Sequence, residues 1–521
     1  MIKIAIFGGG IGGLTVANEL SKFNSYDIAI YEKKNQIGGL ARSMRDEDGC
    51  CSEISWRVFF DFYHNLFKTM KEIPTNDKNS TLDNLTIYRH TNVDDNSTIK
   101  DKVFGLKEIF KGLTSCDQRL DQLDSITWYE ALGQTSDSNI FREIGGWLGM
   151  DRMKGSFKSV IKVGFEMNLL PKRLNSNYND WVTTMPTSEA LFDPWKKHLE
   201  NKGVKIKFNE ELSKINIINN EIKQCKLKSG KIVIADYYIL ALPVESLDSL
   251  IKTNYSLQKG QLKLISSLKE NSLHIQLSFQ VYFNRKVSLG IIDSVSNNGI
   301  LLVNSPWDLI ILQYDQIYKV PLCKNIPNAK GGWSITVCTA YTEGIKHKKP
   351  FNKCTYEECI EEIWAQIMQS TELREKVKKY NQFELNDKII VKWTNYWPGY
   401  YFNTQTKQLE TSEPKFTNNA GTYKLRPSFR TFIPNLFIST AYTKETIDIF
   451  SMEAASISGK LCANSIDKRS PKPIMQNRPT YLEPFRKIDS LAYKMGLPNM
   501  NLLFIVLVIL LVIFFIVKMI L

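Results

Sequence analysis

The chain has 521 residues, enough for two or three domains that each bury a core. With 43% hydrophobic and 23% charged residues, its composition is that of an ordinary globular protein. The net charge of +13 is compatible with nucleic-acid binding, but the sequence has no zinc-finger spacing, no aromatic RNP-type strand and no long basic run in its body. We therefore predict no nucleic-acid partner, and attribute the charge to a membrane surface.

The first 23 residues predict a dinucleotide-binding unit. Ile2–Phe7 is an apolar strand, and Gly8, Gly10 and Gly13 then match G-x-G-x-x-G before a predicted helix at 14–23. In this pattern the first glycine permits the tight turn, the second lets the backbone approach a pyrophosphate, and the third allows close helix–strand packing. The phosphates then lie at a helix N-terminus, which favours negative charge.

A second predicted strand, 28–31, ends at Glu32, 19 residues after Gly13. A carboxylate at this strand end accepts hydrogen bonds from both hydroxyls of an adenosine ribose and repels a 2′-phosphate. NAD and FAD therefore remain as candidates, and an NADP-type ribose does not. The alternative is a glycine turn in an α/β protein that binds no nucleotide.

A second glycine pair follows this carboxylate. Gly38 and Gly39 are followed by Arg42 and Ser43, and the arrangement resembles the extended dinucleotide motif of FAD-dependent amine oxidases and phytoene-desaturase-like flavoenzymes. In those proteins the pair carries the chain past the flavin. The resemblance implies FAD as the cofactor.

The middle of the chain alternates between nucleotide-domain and inserted segments. We predict a loop over 75–102, helices over about 105–170, a helix over 185–199 and a strand over 204–208. A hairpin over 221–235 and a strand over 237–243 follow, and further strands are predicted over 272–345. The last predicted elements are a helix over 356–368, a strand over 435–439 and a helix over 451–466.

With these elements placed, residues 1–466 resemble the FAD-dependent amine oxidase superfamily, and most of all its phytoene and zeta-carotene desaturase-like branch. The segments that carry the resemblance are Arg57-Val58-Phe59 with Phe62-Tyr63, Asn304-Ser305-Pro306-Trp307, Arg426-Pro427, and Ser451-Met452-Glu453-Ala454-Ala455 with Ser458-Gly459. The fold class implied is α/β, a Rossmann-type FAD-binding domain interleaved with an α+β substrate domain, to which the sequence adds a C-terminal transmembrane helix. The predicted FAD-binding parts are 1–75, 186–250 and 426–466, the substrate-domain parts 76–185 (mostly helical) and 251–425, followed by a tether at 467–500 and an anchor at 501–521.

The resemblance also implies the cofactor contacts. Leu212 matches a position that contacts adenine through its backbone, and the helix beginning near Met452 points its N-terminus at the flavin ring. The predicted cofactor-binding residues are Gly8, Gly10, Gly12, Gly13, Leu14, Glu32, Gly39, Arg42, Leu212, Thr440 and Met452.

One stretch departs from the family pattern. Where the family has Gly-Asp after the last strand, this chain has Thr440-Ala441. Three outcomes are open: weaker FAD binding, binding through Thr440 or backbone N–H groups, or loss of FAD. Because no cysteine lies just upstream, where monoamine oxidases attach flavin covalently, FAD is expected to be noncovalent.

The tail predicts membrane attachment. Leu502–Val517 is an unbroken apolar run of 16 residues, and with Lys518 snorkelling the segment to Leu521 is about 30 Å long as a helix. A buried core helix is the alternative. The segment 467–500 carries five prolines and seven cations, which suits a tether at a bilayer. No signal peptide precedes the first strand, so we expect a single-pass tail anchor with the body facing the cytosol.

The number and spacing of the cysteines and histidines fit a protein body in the cytosol. The nine cysteines are odd in number, irregularly spaced and without C-x-x-C, which favours reduced thiols over a disulfide framework. Five scattered histidines form no ligand pattern, so we predict no metal site.

Three functions fit this sequence. The first is a membrane-anchored FAD oxidoreductase that transfers a hydride from a lipophilic, isoprenoid-like substrate to FAD. The second is a flavin amine oxidase, and the third is a non-catalytic, GDI-like binding module for lipids or proteins on the same fold. The sequence nominates no catalytic residue and no electron acceptor. Its aromatic cluster, Trp393, Tyr396, Trp397, Tyr400 and Tyr401, lines an apolar tunnel or cation cage, or consists of ordinary core and surface residues.

Overall fold

A computed structural model describes residues 1–55, 57–94, 98–132, 149–151, 153–167, 179–292, 295–394, 397–475 and 478–520. The chain divides into two compact units. Unit one comprises Met1–Asp94, Asn179–Thr417 and Leu425–Met475, and unit two comprises Asp95–Tyr178, Asn418–Lys424 and Gln476–Leu521.

A five-stranded parallel sheet forms one half of unit one. Its strands, in spatial order, are Leu436–Ile438, Tyr237–Leu240, Ile2–Phe7, Tyr26–Glu32 and Lys205–Phe208. The central strand pairs Ile4 with Ile28 on one side and with Tyr237 on the other. The three inner strands are nearly continuous apolar runs, as expected for strands covered on both faces.

The helices of unit one include two that pack closely beside this sheet. We call Ile11–Leu20 the first helix and Met452–Ile466 the closing helix. A Cβ added to Gly459 would lie 2.6 Å from the Cβ of Thr15, so only a glycine permits this approach. The other α-helices of unit one are His64–Glu72, Asp193–Asn201, Val244–Thr253, Ile265–Ser272, Tyr356–Gln369 and Thr371–Asn381, with a π-helix at Ser188–Phe192.

A six-stranded mixed sheet forms a second core in unit one. Its strands, in spatial order, are Ile390–Thr394, Leu277–Phe283, Gly331–Val337, Ile310–Gln313, Gly299–Leu302 and His90–Val93. Trp307 and Trp333 are fully buried here, and the Trp307 indole N–H donates to the Thr342 carbonyl at 3.0 Å. The segment Ser305-Pro306-Trp307 is therefore anchored in the core of this sheet by Trp307.

Smaller sheets complete unit one. A three-stranded antiparallel sheet packs with the five-stranded sheet into one apolar cluster. It consists of Leu212–Ile218, Glu221–Leu227 and Ile232–Val233. The strand pairs are Ser43–Arg45 with Cys51–Glu53, Leu85–Tyr88 with Asp180–Thr183, Leu273–His274 with Lys415–Phe416, Ile291–Ile292 with Val295–Ser296, and Tyr400–Asn403 with Gln408–Thr411.

Unit two is built from helices in its described part. They are Ile99–Thr114, Asp117–Gln122, Trp128–Ala131, Phe157–Ser159, the π-helix Val160–Met167, Glu483–Lys494 and Leu502–Ile520. Side chains from the C-terminal segment hold the first of these helices: the Asn501 side-chain amide donates to the Lys107 carbonyl at 2.7 Å, and the Arg478 guanidinium donates to the Leu113 and Ser115 carbonyls.

The mixed α/β fold predicted from the sequence is confirmed. Most predicted elements also form, among them the helix at Tyr356–Gln369 and the hairpin around Gly230. The predicted loop over 75–102 is wrong, because the structure has strands at Leu85–Tyr88 and His90–Val93 and a helix from Ile99. Both strands pair with segments distant in sequence, which their own residues do not reveal.

The expectation of reduced thiols is wrong for one pair of cysteines. Cys50 and Cys323 form a disulfide although 273 residues separate them, and the other seven cysteines are free and buried. Backbone hydrogen bonds bring the two segments together: the Cys51 N–H donates to the Leu322 carbonyl at 3.2 Å, and the Asn325 N–H donates to the Asp48 carbonyl at 2.9 Å. An odd, irregular cysteine count therefore does not exclude a single pair.

The predicted transmembrane anchor at 501–521 is not confirmed. A helix runs over Leu502–Ile520, but across the described residues we find none whose length and apolarity suffice to cross a bilayer.

Candidate functional site

The carboxyl ends of four strands of the five-stranded sheet meet in one place. Gly8, after the central strand, has φ +109°, and a Cβ there would lie 2.3 Å from the Ala241 carbonyl oxygen. A Cβ on Gly12 would lie 2.1 Å from the Ser439 carbonyl oxygen, and Glu32 ends the neighbouring strand. Ligands of open α/β sheets bind outside this edge, so the structure brings the predicted residues to the expected location.

A side chain at Gly10 would have free space around it, whereas one at Gly8 or Gly12 would clash with backbone. Gly10 is the N-cap of the first helix, and the nearest described atom to an added Cβ would be the Gly39 Cα, at 4.0 Å. The Gly38 N–H donates to the Gly9 carbonyl at 2.8 Å, which joins the second glycine pair to the first. Because Gly10 has no side chain to cap the helix, the N–H groups of the first turn can receive an anion.

Two backbone donors fix the Glu32 carboxylate. The Gly9 N–H donates to Oε2 at 2.7 Å and the Lys34 N–H donates to Oε1 at 2.9 Å. Each carboxylate oxygen has a second lone pair, so the group can still accept the hydroxyls of a ribose. Its position is set before any ligand binds, which lowers the cost of ordering it.

Arg42 is held by a buried ion pair. Its guanidinium donates to the Gly39 carbonyl and to the Glu413 carboxylate, both at 2.8 Å, and stacks 4.5 Å over the ring of Trp397. Lys34 approaches the other oxygen of Glu413 at 3.2 Å. Burial works to raise the pKa of Glu413, but the hydrogen bond from Arg42 and the two cations hold it below its ordinary value. Through its bond to the Gly39 carbonyl, Arg42 therefore stabilises the position of the second glycine pair.

The remaining predicted cofactor residues lie in different settings. Leu14 is fully buried and its N–H donates to the Gly10 carbonyl at 2.9 Å, so it is occupied within the fold. Leu212 begins a strand of the three-stranded sheet, paired with Leu227, and Met452 is the first residue of the closing helix. Gly13 packs on the Gly8 carbonyl, where a Cβ would come within 2.2 Å.

The segment that departs from the family pattern carries buried hydroxyls. Thr440 Oγ1 and Ser439 Oγ are both buried without a hydrogen-bond partner among the described residues. The Thr440 N–H is already used, since it donates to Ser458 Oγ at 3.1 Å. Orphaned hydroxyls at the carboxyl end of a nucleotide-binding sheet fit a ligand with hydroxyl or phosphate oxygens.

Three members of the predicted aromatic cluster, Trp393, Trp397 and Tyr400, belong to the apolar core of the six-stranded sheet. Trp393 packs against Trp364, and Tyr401 is exposed with its hydroxyl donating to Glu410. Tyr400 donates to the Gln276 carbonyl at 2.7 Å, and Trp397 lies under Arg42. Tyr396 lies outside the described residues. Ordinary packing therefore accounts for the described members.

Residues 11–467 match the family model described as flavin containing amine oxidoreductase. The chain belongs to this family. The chain is similar to the 15-cis-phytoene desaturase of an Oncidium hybrid cultivar, at 21% identity over 89% of this chain and 78% of the relative. It is also similar to the zeta-carotene desaturase of Synechocystis, at 24% identity over 49% of this chain and 60% of the relative. A wild-type putrescine oxidase bound to putrescine has the same fold, with a TM-score of 0.61 and 13% identity over 90% of this chain and 99% of that one.

This family member is an FAD-dependent oxidoreductase, and its residues fit the cofactor. Gly10 would admit the pyrophosphate, Glu32 would accept the ribose hydroxyls, and the buried hydroxyls of Thr440 and Ser439 would meet other polar groups of the cofactor. When bound, FAD accepts a hydride from a substrate C–H bond, while the protein contributes position, exclusion of water and electrostatics.

Three site residues have no signal in the sequence. Glu413 is identified only by its contact with Arg42. Glu245, which is half-buried, is identified only by its place in the first turn of the helix Val244–Thr253. Lys415 lies two residues beyond Glu413 and bonds to Gln276, and burial lowers the pKa of its amine to about 8. Each of these three residues is recognised only from its surroundings in the folded protein, which residues distant in the sequence provide.

Replacing Glu32 tests the ribose contact. We expect Glu32→Gln to weaken FAD binding by about 10- to 100-fold, because hydrogen bonds to charged groups contribute about 1.5–3 kcal/mol. Titration of apoprotein with FAD, followed by flavin fluorescence, measures the change. Glu211→Gln, a surface carboxylate paired with Lys228, is the control and should leave the affinity unchanged. Equal affinities for both variants would contradict the assignment.

Glu245 makes stability depend on pH. Burial raises the pKa of this carboxyl to about 7, and its Oε2 has no hydrogen-bond partner within the described chain. Between about pH 4.5 and 7 the folded state keeps a proton that the unfolded state has lost, so stability falls as pH rises through this window. The loss should be about 3 kcal/mol, since each pKa unit corresponds to about 1.4 kcal/mol.

Urea unfolding of wild-type and Glu245→Gln apoprotein at several pH values tests this prediction. The variant should be more stable than wild type at pH 8 and similar at pH 4.5, because its amide does not ionise. Glu270→Gln, on the protein surface, should follow wild type at every pH. Parallel curves for Glu245→Gln and wild type would show that Glu245 titrates normally.

Proposed function

We propose that the protein dehydrogenates a lipophilic, isoprenoid-like substrate, with noncovalently bound FAD accepting the hydride. The observation that carries the proposal is the similarity to phytoene desaturase along 89% of the chain. The glycine turn Gly8–Gly13, which we call the cradle, and Glu32 lie together at the sheet edge and support it. The zeta-carotene desaturase of Synechocystis supports the same substrate class.

The site favours a redox enzyme over a GDI-like binding module. A module without a cofactor has no need for an open Gly10, a preset carboxylate and orphaned hydroxyls within one sheet edge. These features cost stability when nothing binds them, since buried unpaired hydroxyls are unfavourable.

An apolar substrate of this class dissolves in bilayers, which supports a membrane location, and we propose that the body faces the cytosol. Digestion of intact organelles by added protease tests the orientation. Loss of the body without detergent is the expected result, and protection of the body would contradict it.

An absorbance spectrum before and after acid precipitation is the first experiment. Flavin bands that move to the supernatant support noncovalent FAD, whereas flavin retained in the pellet would indicate covalent attachment. A colourless protein that takes up no added FAD would favour the GDI-like module.

Anaerobic bleaching of the flavin band then identifies the substrate class. Detergent-solubilised phytoene should reduce the flavin, and putrescine should not. Reduction by putrescine alone would replace the proposal with a flavin amine oxidase. Because this assay reads the bound flavin directly, it needs no known electron acceptor.

A further inference from the structure

Apolar side chains are exposed along one face of the helix Glu483–Lys494 in unit two. Leu491 and Met495 are 61% and 67% exposed, and Ile488 is exposed on the same side at helical spacing. Two lysines, Lys487 and Lys494, are exposed among them. We call these five residues the apolar–basic face.

The opposite side of this helix is fixed to its own unit. The Asp489 carboxylate accepts the Cys116 N–H at 2.8 Å and pairs with Arg119 at 3.1 Å. Arg486 and Ala492 are buried on this side. The helix therefore has a determined inner face, and the exposure of Leu491 and Met495 is a property of the packed unit.

A second helix of unit two exposes the same combination. Ile99 is 82% exposed, Val103 and Leu106 are exposed at the spacing of one helical face, and Lys100 and Lys107 are exposed nearby. The Asn501 and Asn499 amides bond to carbonyls of this helix, which places the start of the helix Leu502–Ile520 beside it. The surface then continues into that helix, where most residues from Ile505 to Val517 are exposed.

We propose that the apolar–basic face is a membrane-docking surface that lies on an anionic bilayer. Apolar side chains among lysines are the pattern of helices that lie in the interface, with the apolar residues entering the acyl boundary and the cations meeting headgroup phosphates. A soluble protein partner is less well matched, because the surface offers Lys487 and Lys494 without an exposed acid between them on the helix. The proposal does not depend on the identity of the substrate.

A fluorescent label tests the contact directly in the full chain. Leu491→Cys is labelled with an environment-sensitive nitrobenzoxadiazole dye, and Ile291→Cys, exposed to a similar degree (67% against 61%) but in unit one, is the matched control. The native free cysteines are buried, so unsubstituted protein gives the labelling background. With vesicles of phosphatidylcholine and phosphatidylserine, we expect a shift to shorter wavelength at position 491 and none at 291.

Charge reversal tests the lysines. Lys487→Glu with Lys494→Glu should raise the lipid concentration for half-maximal shift at position 491 by about tenfold or more, and added salt should have the same direction of effect. Lys259→Glu with Lys263→Glu, exposed in unit one, is the control and should change nothing.

Two results would overturn the proposal. Protein that floats with vesicles while the label at 491 stays unshifted would mean that another segment alone binds lipid. A shift at 491 that needs no lipid and grows with protein concentration would mean that the face binds a second copy of the chain.

Discussion

Gly10→Ala is expected to keep the fold and to weaken FAD binding by about 10- to 100-fold. The backbone of Gly10 has φ −80° and ψ 176°, which alanine adopts freely, and the added Cβ meets no described atom closer than 4.0 Å. The methyl group therefore costs the apoprotein little. It does occupy the space that a pyrophosphate needs, and overpacking of this kind costs about 1–3 kcal/mol.

Gly12→Ala is the matched comparison, two residues along the same turn. Its Cβ would lie 2.1 Å from the Ser439 carbonyl oxygen, so the backbone of the first helix or of the segment after the last strand must move. We expect a loss of about 3 kcal/mol in the free energy of unfolding, measured by urea denaturation of apoprotein.

The pair separates binding from folding. Wild-type stability with weak FAD binding for Gly10→Ala, together with low stability for Gly12→Ala, supports the cradle. Tight FAD binding by Gly10→Ala would show that the pyrophosphate lies elsewhere.

Local patterns made the sheet edge predictable from the sequence. The strand–glycine–helix order at 2–23 and the carboxylate at Glu32 belong to one continuous stretch, and the structure places them as the spacing indicates. The first helix begins at Ile11 instead of Leu14, because Gly10 already serves as its N-cap. The glycine spacing therefore predicted the position of the site to within one helical turn.

Long-range partners could not be predicted. Arg42 and Glu413 are 371 residues apart, and Cys50 and Cys323 are 273 apart, so no window of sequence contains both members of either pair. The strand His90–Val93 was missed for the same reason: its partner is Gly299–Leu302, and its own residues do not alternate between apolar and polar. Such elements are defined by what they pack against.

Lys460→Met is expected to destabilise the protein by about 3 kcal/mol, because it leaves a buried carboxylate without its main partner. Lys460, in the closing helix, and Glu19, in the first helix, are both buried and ion-paired. Burial works to raise the pKa of Glu19, but its pairing with Lys460 and with Lys22 holds it below the ordinary value. The measurement is the free energy of unfolding in urea.

The double variant Glu19→Leu with Lys460→Met shows whether the charge or the packing matters. Replacing both members of a buried pair by apolar residues is often neutral or stabilising, so the double variant should recover most of the loss. Additive losses would mean that the two side chains contribute separately. Because Gly459, beside Lys460, packs on the helix that carries the cradle, Lys460→Met should also weaken FAD binding, and the double variant should restore it.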